Sequence, residues 1–271
     1  YRLLAPIRTG RYTQVWAALS QPKKAPGETK AVLPQLQDLY ALYHALKAAR
    51  ETRGAIDFDT AEMQLEFDVR GKIVRIVPVV RNDAHKLIEE CMLAANVATA
   101  EFLKKHEIPA LYRVHDGPPP ERLEKLRAFL GELGLSLHKG KDGPSPKDYQ
   151  ALLASIKDRP DFHLIQTVML RSLSQAVYSA QNEGHFGLNY EAYTHFTSPI
   201  RRYPDLLTHR AIRSVIHSKQ DTPHVRRAGA MTIPKARIYP YDEAALEQLG
   251  EQCSMSERRA DEATRDVVNW L

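Results

Sequence analysis

The sequence predicts an α+β fold in which several long helices cover a mixed or antiparallel sheet within one domain. Three observations carry that expectation. Apolar residues recur at three- and four-residue spacing from Pro34 to about Arg53, and again through Leu87, Cys91, Ala94, Ala98 and Phe102, as on helices with one apolar side. Between them, MQLEFDV and IVRIVPVV alternate on either side of Arg70-Gly71-Lys72, the pattern of a hairpin. A third set of helical stretches fills the second half. With 271 residues and 43% hydrophobic content, the chain can bury a sizeable core.

In order, residues 1–20 hold a short apolar run, a Pro/Gly break and a helix carrying Tyr12, Val15 and Trp16. Gln21 to Lys30 is polar and reads as a surface loop. The next helix carries Leu36, Leu39, Tyr40, Tyr43 and Leu46 on one side and is closed by Gly54. Phe58 follows between Asp57 and Asp59. It reads either as a strand-edge anchor or as a ring offered to a ligand, and the two aspartates could bind a cation, although such a pair is common on turns. After the hairpin, Asn82 or Asp83 caps a helix on which Glu90 lies at the flank of the apolar stripe and Glu89 points away. A carboxylate turned halfway into a core needs a partner or a purpose.

LYRVHD reads as a short strand, and GPPPE ends it before a helix over about Glu121 to Gly134. Leu135 to Asp148 is rich in Gly, Lys and Pro and predicts a loop, followed by helices near Tyr149–Lys157 and Leu164–Tyr178. The long basic segment from Asp221 to Asp242 lacks periodicity and reads as a functional loop or a partly disordered one. Asp242 then caps a final helix whose SERRADEATRD run marks a solvated face.

The stretch from Gly184 to Arg210 gathers five aromatics, three histidines and three arginines around one Ser-Pro. Tyr193, His195 and Thr197 alternate with Thr194, Phe196 and Ser198, as in a strand with one wetter face. Ser198 before Pro199 is a good helix start, whereas Pro204 would break a helix already running. The expected compromise is one tight turn over Pro199 to Tyr203 and a main helix from Pro204 to about Ser218. Arg201 and Arg202 would then sit in a turn with free N–H groups near a positive helix end, a setting that attracts phosphate. The blander alternative places both arginines on a solvated face, paired with Asp205.

Lys+Arg 38 against Asp+Glu 33 gives a net charge of +5, compatible with a polyanionic partner. Cys91 and Cys253 stand alone on two predicted helices, which disfavours a zinc site or disulfide framework and fits a reducing compartment. No apolar run reaches the length of a membrane span, so no membrane partner is expected and the cytoplasm is the default.

THFTSPIRRYPDLLTHR, from Thr194 to Arg210, resembles the signature of the ribonuclease II / ribonuclease R family of 3'-to-5' exoribonucleases, nearest to its ribonuclease R branch. RYTQVW, LYALYHALKAARETRGAIDFDT, KLIEECMLAANVATAEFL, LYRVHDGPP and CSMSERRADEATRDVVNWL resemble the same family in the same order. The resemblance implies a processive hydrolase that draws in the 3' end of single-stranded or structured RNA and releases nucleoside 5'-monophosphates. It implies catalytic roles for Arg201, Glu90 and Tyr12, base stacking by Phe58, and RNA contacts from Tyr193, His195, Ser198 and Arg202. It also implies magnesium (Mg2+), held in the family by an Asp-rich cluster upstream of the region matched here. No such cluster occurs in this sequence, so no metal ligand is assigned within it. The chain is expected to correspond to the C-terminal two-thirds of the family's catalytic domain, with OB-type RNA-binding domains flanking it in the parent protein. A non-catalytic RNA-binding remnant is the competing expectation.

Overall fold

The computed structural model describes residues 11–58 apart from 26, 63–78, 81–218 apart from 139, 141 and 142, and 231–270. The expected features of residues 1–10, Asp59 and residues 219–230 lie outside the described residues. The fold is α+β, as expected: helices dominate, and the strands pair as two small antiparallel ribbons. The described chain divides into two compact units, one of residues up to 53 together with 57–93, the other of residues 54–56 and 94 onward.

In the first unit, α1 (Arg11–Ser20) carries Tyr12 and Trp16 and buries Ala18 completely. The polar stretch after it is not plain loop. It makes a 3-10 turn at Pro22–Lys24 and the single-turn helix α2 (Gly27–Lys30), with no buried residue in either. In α3 (Leu33–Arg53), the stripe narrows around Tyr43, its one buried residue, while Leu39 is 38% exposed. The helix ends at Gly54, whose φ of +84° is open to glycine and strained for residues with a Cβ. Strands β1 (Met63–Phe67) and β2 (Ile73–Pro78) pair around a turn in which the Asp68 carboxylate accepts the N–H groups of Arg70 and Lys72.

Helix α4 (Asp83–Lys105) starts in the first unit and ends in the second. Asn82 caps it, its Oδ1 accepting the Ala84 N–H at 3.1 Å. Its buried positions are Ala84, Leu87, Glu90, Asn96, Thr99, Ala100 and Leu103, so Ala98, placed on the apolar stripe by spacing alone, faces outward.

In the second unit, β3 (Tyr112–Val114) pairs with β4 (Val177–Ser179), and α5 (Pro120–Glu132), α6 (Pro146–Ile156) and α7 (Phe162–Ser172) lie between them in sequence. The helix expected through Tyr178 stops at Ser172. The Ser172 hydroxyl donates to the Met169 carbonyl at 2.6 Å, a local bond that competes with further helix, and the β-branched Val177 then enters the ribbon. A core of Leu103, Ala110, Leu111, Leu207, Ala211, Tyr239 and Leu246 joins the end of α4 to α8 (Tyr203–Ile216), α9 (Lys235–Ile238) and α10 (Glu243–Trp270). Gly250 lets α10 lie close on β4: a Cβ there would stand 2.7 Å from the Tyr178 carbonyl oxygen. One turn on, the Ser254 hydroxyl accepts the Tyr178 N–H at 2.9 Å. Among the described residues, no helix is long and apolar enough to cross a membrane.

Candidate active site

The segment from Ala192 to Ser198 is extended but joins no strand ladder, which corrects the expected strand. Its polar groups are met largely by side chains instead. The Phe196 N–H donates to Asn96 Oδ1 at 3.0 Å, the Ser198 N–H to Asp205 Oδ1 at 2.7 Å, and the Thr194 hydroxyl to the Leu111 carbonyl at 2.6 Å. The Tyr193 carbonyl takes a backbone donor from another element, the Arg113 N–H at 2.8 Å. Burial does not alternate either: Tyr193 and Thr194 are both buried, and His195 to Ser198 are all half-buried.

The tight turn forms where expected, with the Ser198 carbonyl accepting the N–H groups of Arg201 and Arg202. Ser198 does not cap a helix. Helix α8 begins at Tyr203 with Arg202 at its N-cap and no side-chain cap, and Pro204 fits its first turn because no N–H is needed there. Asp205, fully buried, is the pin: besides the Ser198 N–H, it receives Arg202 Nη2 at 2.8 Å, and Arg202 Nε lies 2.8 Å from its other oxygen. The two arginines thus part company. Arg202 is committed to Asp205, whereas Arg201 is exposed and has no ion-pair partner among the described residues.

Behind the turn stands a column of rings. Tyr193 is 6% exposed, receives the Asn96 amide at 2.9 Å on its hydroxyl, and meets His195 and His185 edge-on. His195 Nδ1 lies 2.8 Å from the Tyr178 hydroxyl, whose ring carries the Arg113 guanidinium 4.5 Å above it. Burial, then the charges of Arg202 and Arg113, push the His195 pKa down to about 2. Burial and His115 push that of His185 down to about 3. Burial holds the Tyr178 hydroxyl up at about 12.

These neutral rings have a cost in acid. The unfolded chain takes up protons on both histidines below their ordinary value of 6.5, while the folded chain does not, so stability falls as pH drops from about 6.5. At pH 5.5 the loss is on the order of 1 kcal/mol for each ring. Urea unfolding at pH 7.5 and 5.5 is expected to show this, with His195→Gln removing its own share of the difference. A difference unchanged by that variant would place the proton uptake elsewhere.

In the first unit, Glu90 is 6% exposed and accepts Arg50 Nη1 at 2.9 Å. The same guanidinium gives Nη2 to Asp57 at 3.0 Å, immediately before the half-buried Phe58. Tyr12 is half-buried and stacked on His85 with ring centroids 4.2 Å apart. The structure therefore gathers Tyr193, His195, Ser198, Arg201 and Arg202 in the second unit and holds Glu90, Tyr12 and Phe58 in the first. Sequence reasoning missed Arg50 and Asn96. Arg50 continues the stripe of α3 seven residues after Tyr43, and Asn96 shares the buried face of α4 with Thr99 and Leu103, but nothing local names the partners of either. Among the described residues, no group of three or more His, Cys, Asp or Glu side chains could hold a metal ion.

Residues 6–218 match the RNB domain family. The chain is 52% identical over 260 residues to the Ribonuclease R of Vibrio cholerae serotype O1 and 46% identical to that of Escherichia coli, in each case over 96% of this chain. It spans 31% of the length of either relative. Among solved structures, Mycoplasma genitalium RNase R in complex with ribose methylated single-stranded RNA superposes with a TM-score of 0.82 at 27% identity, over 96% of this chain and 38% of that one. The family match over residues 6–218, two relatives near half identity and a shared fold agree, and the chain belongs to the RNB domain family.

Proposed function

We propose that this chain forms part of a cytoplasmic, hydrolytic 3'-to-5' exoribonuclease that degrades single-stranded or structured RNA processively to nucleoside 5'-monophosphates. The observation that carries the reading is the division of labour at the turn. Arg202 spends its charge on buried Asp205, which leaves Arg201 presented with a free fork suited to two phosphate oxygens. Hydrolysis joins a water oxygen to phosphorus and breaks the bond to the 3' oxygen of the neighbouring nucleotide. Arg201 is assigned to the charge that develops on that phosphate, Glu90 to the attacking water or terminal sugar, and Tyr12 to the scissile phosphate. Phe58 is assigned to stacking on a base. His195 and Ser198 are assigned contacts to the RNA, while Tyr193 and Arg202, being buried and ion-paired, act by holding the turn that makes such contacts.

The magnesium implied by the family resemblance finds no fitting group of ligands among the described residues, and none of these roles runs through a metal. A second reading is an RNA-binding remnant without turnover. The parent protein, with magnesium and an oligonucleotide labelled at either end, separates the two. Mononucleotides released first from the 3' end support the enzyme, internal cuts overturn it, and binding without cleavage selects the remnant. In the same protein, Phe58→Ala is expected to weaken the grip on short oligonucleotides by about 1–3 kcal/mol without preference among bases. Normal binding with a lower melting temperature would make Phe58 an anchor of its unit.

A further inference from the structure

Arg50 was given no role by the resemblance, yet it is the most connected charge of the first unit. It stands on the last turn of α3, and its two terminal nitrogens reach carboxylates 33 positions apart, Asp57 at 3.0 Å and Glu90 at 2.9 Å. The three groups differ sharply in exposure. The Glu90 side chain is 7% exposed, that of Arg50 21% and that of Asp57 79%. The Glu90 arm is therefore the strong one, since a buried carboxylate stripped of its one cation among the described residues would stand uncompensated. The exposed Asp57 arm adds little stability. What it adds is direction: Phe58 is the next residue, so the arm sets where that ring begins. Arg50 Nε is buried with no acceptor among the described residues, a further desolvation cost that offsets part of what the pairs contribute. Tyr43, 3% exposed on the same helix, has its hydroxyl pKa raised first by burial and then by the charges of Asp83, Glu90 and Asp57.

We propose that Arg50 is a positioning residue that sets the Glu90 carboxylate and the Phe58 ring together through one guanidinium. The inference rests on the exoribonuclease reading for what Glu90 does, but only on RNA binding for what Phe58 does. Arginine suits the task because its planar fork fixes two acceptors at a set angle, whereas a lysine ammonium is a point charge on a flexible stem.

The test uses the full-length parent protein and two mutant cycles. In the first, Arg50→Gln and Arg50→Lys are each expected to lower kcat on a single-stranded oligoribonucleotide by about 10-fold, with KM changed far less. In a Glu90→Gln background neither should lower it further. In the second, Arg50→Gln is expected to weaken oligonucleotide binding severalfold, and the effect should vanish in a Phe58→Ala background. Independent, multiplicative losses in both cycles overturn the proposal, as does normal kcat and binding in both Arg50 variants. A parent protein that binds RNA but releases no nucleotide removes the exoribonuclease reading instead, and the Phe58 cycle then decides Arg50 alone. If Arg50→Gln does not fold, Arg50→Lys, which keeps the charge, serves in both cycles.

Discussion

Asp205→Ala is expected to destabilise the folded chain by about 3–5 kcal/mol, because it strands a largely buried guanidinium and orphans a backbone donor in one step. Asp205 has no exposed surface; it accepts the Ser198 N–H and Arg202 Nη2, and Arg202 Nε stands in ion-pair contact with its other oxygen. Asp205→Asn keeps an acceptor for one of them and loses the charge, so its cost should be smaller, about 1–3 kcal/mol. Urea denaturation reads both, through the midpoint at unchanged slope. A loss under about 1 kcal/mol for the alanine variant would mean that Arg202 finds another acceptor and that the turn is not pinned as described.

Arg201→Lys is expected to lower turnover of the parent protein by about 100-fold while changing RNA affinity by a few-fold at most. Removing one preoriented donor from a developing charge costs on the order of 100- to 1,000-fold in kcat. Lysine keeps the positive charge and much of the ground-state attraction but cannot bridge two phosphate oxygens. The asymmetry between kcat and affinity is the informative quantity. Equal losses in both would reduce Arg201 to an ordinary binding contact.

The long one-sided helices, the hairpin around Gly71 and the Pro204 helix start were legible in the sequence, because each is encoded by neighbours within a turn or two. The same holds for the tight turn that carries Arg201. What the sequence misreported came from partners far along the chain. Alternation from Tyr193 to Ser198 suggested a strand, but Asn96 and Asp205 supply the acceptors that a neighbouring strand would have supplied. Helical spacing put Glu90 on a flank, and the actual burial depends on Arg50, forty residues earlier. The sequence offered Asp205 as a partner for both arginines, and the fold gives it to Arg202, three residues before it.

The way the turn is held also dates its formation. Its contacts to Asn96 and to the Leu111 carbonyl span about 80 to 100 positions, so each closes a large loop before it yields any stabilisation. Helices α6 and α7 and the tight turn after Ser198 can begin to form from their own neighbours, but the segment from Ala192 to Thr197 has no local ladder to nucleate on and must wait for α4 and β3 to arrive. Its interactions are expected on the late, downhill side of the folding barrier. Changes in this segment therefore accelerate unfolding more than they delay folding, and the lifetime of the native state is set in large part by the same few residues that present Arg201.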